Sequence, residues 1–145
     1  MPHDSMPHDM AARCSAIEEC YEFLLAYAAQ GLSSDTGTQA GSQIREFLRQ
    51  AVSAMAGLAE AYAQVVTREA LEPAGRYHAF LAVLDRDARD SQAAVELVLA
   101  QPAVSSQLID NLNASMHLRA LLTDLFLIAE IIELRQSQPK AVAAN

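Results

Sequence analysis

The chain has 145 residues, of which 52% are hydrophobic and 19% are charged, and its formal net charge is −8. That length suits one domain with a buried core, and the hydrophobic content excludes a disordered chain. Positive charge comes almost entirely from scattered arginines, since Lys140 is the single lysine. Binding a polyanion requires clustered basic side chains, so the sequence argues against nucleic acid and an anionic membrane surface as direct partners.

The ends of the chain are predicted to be loose. Residues 1–9, with their tandem MPHD, lack an apolar run and are predicted to form a disordered N-terminal tail rather than a signal peptide. Residues 10–136 are predicted to form one helical-bundle domain, and residues 137–145 a flexible C-terminal tail. No segment reaches the ~18 uninterrupted apolar residues that a membrane span requires.

Helix one is predicted over residues 10–31 and ends at Gly31, a common helix stop. Its apolar stripe alternates spacings of four and three residues and comprises Met10, Cys14, Ile17, Tyr21, Leu24 and Ala28. The two cysteines, Cys14 and Cys20, point about 120° apart on such a helix and are predicted to stay unpaired. In the LSSDTGTQAGS loop that follows, Thr36 with Gln39 fits a capping box.

Helix two is predicted over residues 38–71, where the apolar repeat of 3.5 residues is that of a bundle seam. Its predicted core positions are Ile44, Leu48, Ala51, Met55, Leu58, Tyr62 and Val65. Pro73 breaks the pattern, either as a kink in one rod or as the start of a separate helix three over residues 74–100.

Helix four is predicted over residues 103–136, after Pro102. Strand-like alternation is missing over any useful length. The sequence therefore predicts an all-α fold, a four-helix antiparallel up-down-up-down bundle with frayed termini.

Helix four is apolar on more than one side. Leu121, Leu125, Ile128 and Ile132 form the predicted core arc, and a second arc contains Met116, Leu127, Ile131 and Leu134. Helix one has a weaker second line with Cys20, Phe23 and Tyr27. An excess apolar stripe indicates contact with another chain. The four residues of the second arc and the three of the second line on helix one are therefore the predicted interface of a homodimer. The alternative is one unusually wide core face.

Chemically suggestive side chains form no recognisable catalytic, cofactor or metal site in the sequence. A di-iron bundle needs Glu-x-x-His, whereas Gly75 precedes His78 and Ala114 precedes His117 at that spacing. The segments around these histidines have neither Lys nor Gly at the positions expected beside a phosphotransfer histidine, and neither cysteine has a histidine within helical reach. We therefore expect no cofactor. The sequence favours a protein without enzymatic activity but leaves that question open.

Two functions follow as hypotheses. The first is a small bacterial, cytoplasmic, helical-bundle protein that binds other proteins in a regulatory or chaperone-like role and acts as a homodimer. The alternative is a bundle that binds a small apolar ligand or cofactor between its helices. Side chains with polar tips that could orient such a ligand are Tyr27, Tyr62, Tyr77, His78 and His117.

Overall fold

The computed structural model describes residues 5–138, with side chains from residue 9 onward. Within that range every regular element is a helix, which confirms the all-α class. The helices are α1 (Ser5–Ala28), α2 (Gln39–Met55), α3 (Leu58–Arg68), α4 (Ala74–Leu99), α5 (Ser106–Ala114) and α6 (His117–Gln136). α1 thus begins inside the range predicted as a tail, and residues 1–4 and 139–145 lie outside the described part.

The predicted second helix is wrong as a single element, because Ala56 and Gly57 divide it into α2 and α3. Gly57 has φ 67°, a left-handed conformation that glycine adopts without a steric penalty. The core stripe continues through the break, since Met55 and Leu58 are both buried and three residues apart. The predicted core positions of this segment are confirmed as buried: Ile44, Leu48, Ala51, Met55, Leu58, Tyr62 and Val65.

The predicted fourth helix is also two helices. α5 begins after Ser105, whose hydroxyl accepts a hydrogen bond from the Leu108 backbone N–H at 3.0 Å, so the start is later than predicted. Met116 then adopts φ 69°, and this left-handed residue separates α5 from α6. No residue-type signal marks this break, since methionine is an ordinary helix former.

The helix after Pro73 agrees with prediction. α4 begins at Ala74 with Pro73 as its N-cap, and residues 69–73 separate it from α3, so the two are distinct helices. The capping residue of α2 was predicted two positions early. Thr38, not Thr36, caps α2 by accepting a hydrogen bond from the Gly41 backbone N–H at 3.0 Å.

Two helices organise the packing. α1 and α4 each contact α2, α3, α5 and α6, so each is covered on two sides by other helices. α6 presents its predicted core arc inward, and these buried residues are Leu121, Leu125, Ile128 and Ile132. One buried apolar cluster joins the helices, and none of the described helices is long and apolar enough to cross a membrane.

Candidate functional site: an apolar face on α4 and α6

Two leucines of the second apolar arc of α6 lie outside the core of this chain. Leu127 is 51% exposed and Leu134 is 55% exposed, whereas Ile131 between them is partly buried. Met116, at the junction with α5, is also half exposed. Single exposed apolar side chains are common on protein surfaces, and Leu25, Leu97 and Phe126 are also exposed in this chain. The alignment of Leu127 and Leu134 on one side of α6 distinguishes them from such scattered residues.

α4 supplies the other side of the same surface. Phe80 is partly buried and Val83 is 39% exposed, and the two are three residues apart. A shallow groove of about 220 Å³ runs between the helices; its walls are formed by Arg76, Tyr77, Phe80, Leu127, Ile128 and Ile131. We call the exposed and partly buried apolar side chains of this surface the α4–α6 face: Phe80, Val83, Leu127, Ile131 and Leu134.

Two carboxyl groups lie together beside the α4–α6 face, Asp87 on α4 and Asp124 on α6. Burial, together with the nearby carboxyl group of Asp87, raises the pKa of Asp124 to about 7. The Asp124 Oδ2 atom is buried and has no hydrogen-bond partner within the described part of the chain. A buried carboxylate oxygen without a donor is costly, so this position favours the protonated carboxyl group.

The helix-one half of the predicted interface does not form an exposed line on the surface of this chain. Cys20 and Tyr27 are fully buried inside the chain, and Phe23 is partly buried with its ring stacked on Phe47 at a centroid distance of 4.3 Å. The physical reason is that α1 is covered by α2 and by α5 and α6, so it needs two apolar sides for its own core. The wide-core alternative is therefore correct for α1.

Sequence reasoning missed a hydrogen-bonded cluster between the loop after α1 and the loop after α4. The Asp35 carboxylate accepts from the Val104 backbone N–H at 2.8 Å and from Arg45 Nε at 2.9 Å. Arg45 also donates to the backbone carbonyls of Leu99 and Gln101, at 2.9 and 2.8 Å. The hydrogen bond from Val104, stronger than the opposing effect of burial, lowers the pKa of Asp35, with Arg45 acting in the same direction.

Tyr27 and the buried Ser106 extend this cluster. The Tyr27 hydroxyl donates to the Val104 carbonyl at 2.7 Å, and the Ser106 hydroxyl donates to the Tyr27 carbonyl at 2.6 Å. Ser106 Oγ also accepts from the Leu32 backbone N–H at 2.9 Å. We call the side chains of this cluster the loop network: Tyr27, Asp35, Arg45 and Ser106. Its groups bond to one another and to backbone, so its role is to join two loops.

The predicted ligand-orienting side chains do not converge. Tyr62 borders a 350 Å³ pocket between α1, α3 and α6, His78 borders a separate hollow between α4 and the α2–α3 junction, and Tyr77 lies under the α4–α6 groove. His117 begins α6 and is partly buried, and the Tyr27 hydroxyl is engaged in the loop network. The observed pockets therefore each hold at most one of these polar tips.

The thiols are held in the protonated form. Both cysteines are unpaired, as predicted. Burial raises the pKa of Cys20 to about 12, and burial also raises the pKa of Cys14, against the smaller effect of its contact with Tyr62. A thiol is a poor nucleophile without ionisation. Within the described residues no group of three or more His, Cys, Asp or Glu side chains is placed to hold a metal ion.

Comparison with protein-family models, with curated protein sequences and with solved structures finds no match for this chain.

Proposed function

We propose that this chain is a protein-interaction module of the bacterial cytoplasm that acts as a homodimer through the α4–α6 face. In this proposal α2 with α3 and α5 with α6 act as two interrupted rods, and with α1 and α4 they make a four-rod antiparallel bundle. The outer side of α4 and α6 is then the working surface. The observation that carries the proposal is the line of half-exposed Leu127 and Leu134 beside the α4–α6 groove.

The burial pattern of α6 supports an intermolecular role for this line. Leu121, Leu125 and Ile128 complete the inward side of α6 and are at most 2% exposed, so the helix is already anchored without Leu127 and Leu134. A wide core would have covered these two leucines. Apolar surface that a helix does not need for its own packing is typical of a contact with another chain.

The test is the double substitution Leu127→Glu with Ile131→Glu, examined by sedimentation and circular dichroism. We expect a helical, folded monomer, since two carboxylates cannot be buried in an apolar interface without a large penalty. Phe126→Glu is the matched control, because Phe126 is 53% exposed, adjacent in sequence and about 100° away around the helix. This control variant should sediment as the wild type does.

An unfolded double variant would indicate that Ile131 belongs to the core. The single variant Leu134→Glu then decides the question, because Leu134 is the most exposed residue of the α4–α6 face. A wild-type chain that is monomeric at every concentration would overturn the homodimer.

A second candidate function has one specific observation in its favour. The 350 Å³ pocket between α1, α3 and α6 is lined by Met10, Val65 and Ile132, and the Tyr62 hydroxyl lies on its wall 3.4 Å from Cys14 Sγ. Such a pocket suits a small apolar ligand with one hydrogen-bonding group. A native mass spectrum would show an added mass that the variant Val65→Trp, which fills the pocket, does not retain.

A further inference from the structure

Four side chains on one side of α4 are ordered so that this side of the helix is complementary to an antiparallel copy of itself. Arg76, Phe80, Val83 and Asp87 are spaced by four, three and four residues, so they lie on one side of the helix. The order is a positive charge, two apolar groups and a negative charge. It is symmetric about a point between Phe80 and Val83, so an antiparallel copy places each charge opposite its counter-charge.

We propose that two copies of this chain pair their α4 helices antiparallel about a two-fold axis between Phe80 and Val83, so that Arg76 of each protomer meets Asp87 of the other. The inference rests on the homodimer proposed above and assigns its register. In a two-fold interface each contact occurs twice, so the dimer contains two such charge clusters.

Charges left unpaired within one chain support this register. Arg76 is exposed, and neither it nor Asp87 takes part in an ion pair among the described residues. Along α4 the two are about 16 Å apart, since each residue adds about 1.5 Å, so Arg76 cannot reach Asp87 of its own chain. The guanidinium of a second copy would supply a counter-charge for Asp87.

The apolar residues fit the same arrangement. The groove brings Leu127 and Ile131 of α6 against Phe80 of α4, so both helices contribute to the surface at the level of the proposed axis. Antiparallel pairing places Phe80 against the partner's Val83, and Leu127 flanks that contact. The centre of the interface is therefore apolar and its two ends are charged, as in other specific interfaces.

The experiment uses two charge reversals of the full chain, Arg76→Glu and Asp87→Arg. In each variant alone, both charge clusters contain like charges, so we expect self-association to weaken by roughly tenfold or more. Mixing the two variants restores opposite charges at both clusters of a heterodimer. Native mass spectrometry distinguishes the heterodimer by mass, and we expect it to form with about the affinity of the wild-type dimer.

The control is Arg86→Glu, which makes the same charge change one position from Asp87 and about 100° away around α4. It should leave the dimer unchanged. Reversals that each dimerise like the wild type, or a mixture that yields no heterodimer, would overturn the register. The homodimer itself would survive that result if Leu127→Glu with Ile131→Glu still gives a monomer, so the two failures are distinguishable.

Discussion

The loop network and the surroundings of the α4–α6 face differ in whether carboxylate oxygens have hydrogen-bond donors within the chain. In the loop network each carboxylate oxygen of Asp35 has a donor within the chain, and Arg45 reaches two carbonyls as well as Asp35. Beside the α4–α6 face, Asp124 Oδ2 is buried without a donor among the described residues. The same residue type is internally satisfied at one site and incomplete at the other.

That difference has a consequence for the stability of each site. A closed hydrogen-bond cluster has no capacity left for a partner, and breaking it leaves buried groups unpaired. The buried Asp124 oxygen has no such donor to lose, and burial favours its protonated form. The two aspartates also shift in opposite directions, since the pKa of Asp35 is lowered and that of Asp124 is raised.

The largest expected effect comes from opening the loop network with Asp35→Ala. The change leaves the Val104 N–H and the Arg45 guanidinium without their carboxylate, and we expect a loss of about 2 to 3 kcal/mol in the free energy of unfolding. Urea denaturation measures it. The control Asp85→Ala removes the exposed ion pair with Arg89 and should not shift the urea midpoint. Equal midpoints for both variants would mean that the network contributes no stability.

The next prediction concerns the glycine that lets the loop pack on α2. A Cβ at Gly41 would overlap the Asp35 backbone carbonyl, so Gly41→Ala should destabilise the fold by about 1 to 3 kcal/mol although alanine is the better helix former. Gly75 has open space around it, and Gly75→Ala should stabilise by up to about 1 kcal/mol. Thermal unfolding of the two variants should therefore shift in opposite directions.

A pH titration of protein stability tests the raised pKa of Asp124, which contrasts with the lowered pKa of Asp35. Because the folded pKa of Asp124, about 7, exceeds the ordinary value of 3.8, the folded chain binds the proton more tightly than the unfolded chain does. Stability of the dilute monomer should fall as the pH rises from about 4 to 7, by about 1 to 2 kcal/mol after allowance for partial exposure. Asp124→Asn should remove most of this slope, and an unchanged slope would show that Asp124 titrates normally.

The smallest effect is expected at the junction between α5 and α6. Met116 is half exposed and holds φ 69°, a conformation that costs a residue with a Cβ about 1 kcal/mol. Met116→Gly should therefore stabilise the monomer by about 0.5 to 1 kcal/mol. Ala120→Gly, inside α6, should destabilise by about the same amount. Calorimetry of both variants checks the opposite signs.

Periodicity in the sequence predicts burial well here and predicts continuity poorly. The stripe through Ile44, Met55, Leu58 and Val65 is buried throughout, because a 3.5-residue repeat reports which side of a helix is apolar. That same repeat continues across Gly57 and so conceals the break between α2 and α3. The left-handed conformation of Met116 carries no residue-type signal at all.

The other features that the sequence does not predict depend on hydrogen bonds and packing between residues far apart in the chain. Asp35 bonds to the backbone of Val104, 69 residues away, and Ser106 bonds to that of Tyr27, 79 residues away. Neither pairing can be inferred from local spacing. The second line on α1 became core because helices cover that helix from two sides, whereas the corresponding line on α6 stays exposed. Amphipathic pattern alone does not distinguish these outcomes, since both appear as excess apolar surface.

The most direct test of the central claim is a dilution series followed by the methyl resonances of the full chain. If the α4–α6 face joins two copies, signals of Val83, Leu127, Ile131 and Leu134 should shift with concentration. Signals of Val104 and Ile109, both fully buried elsewhere in the chain, should not move. Shifts confined to other exposed side chains such as Leu25, or no shift over the whole series, would contradict the account.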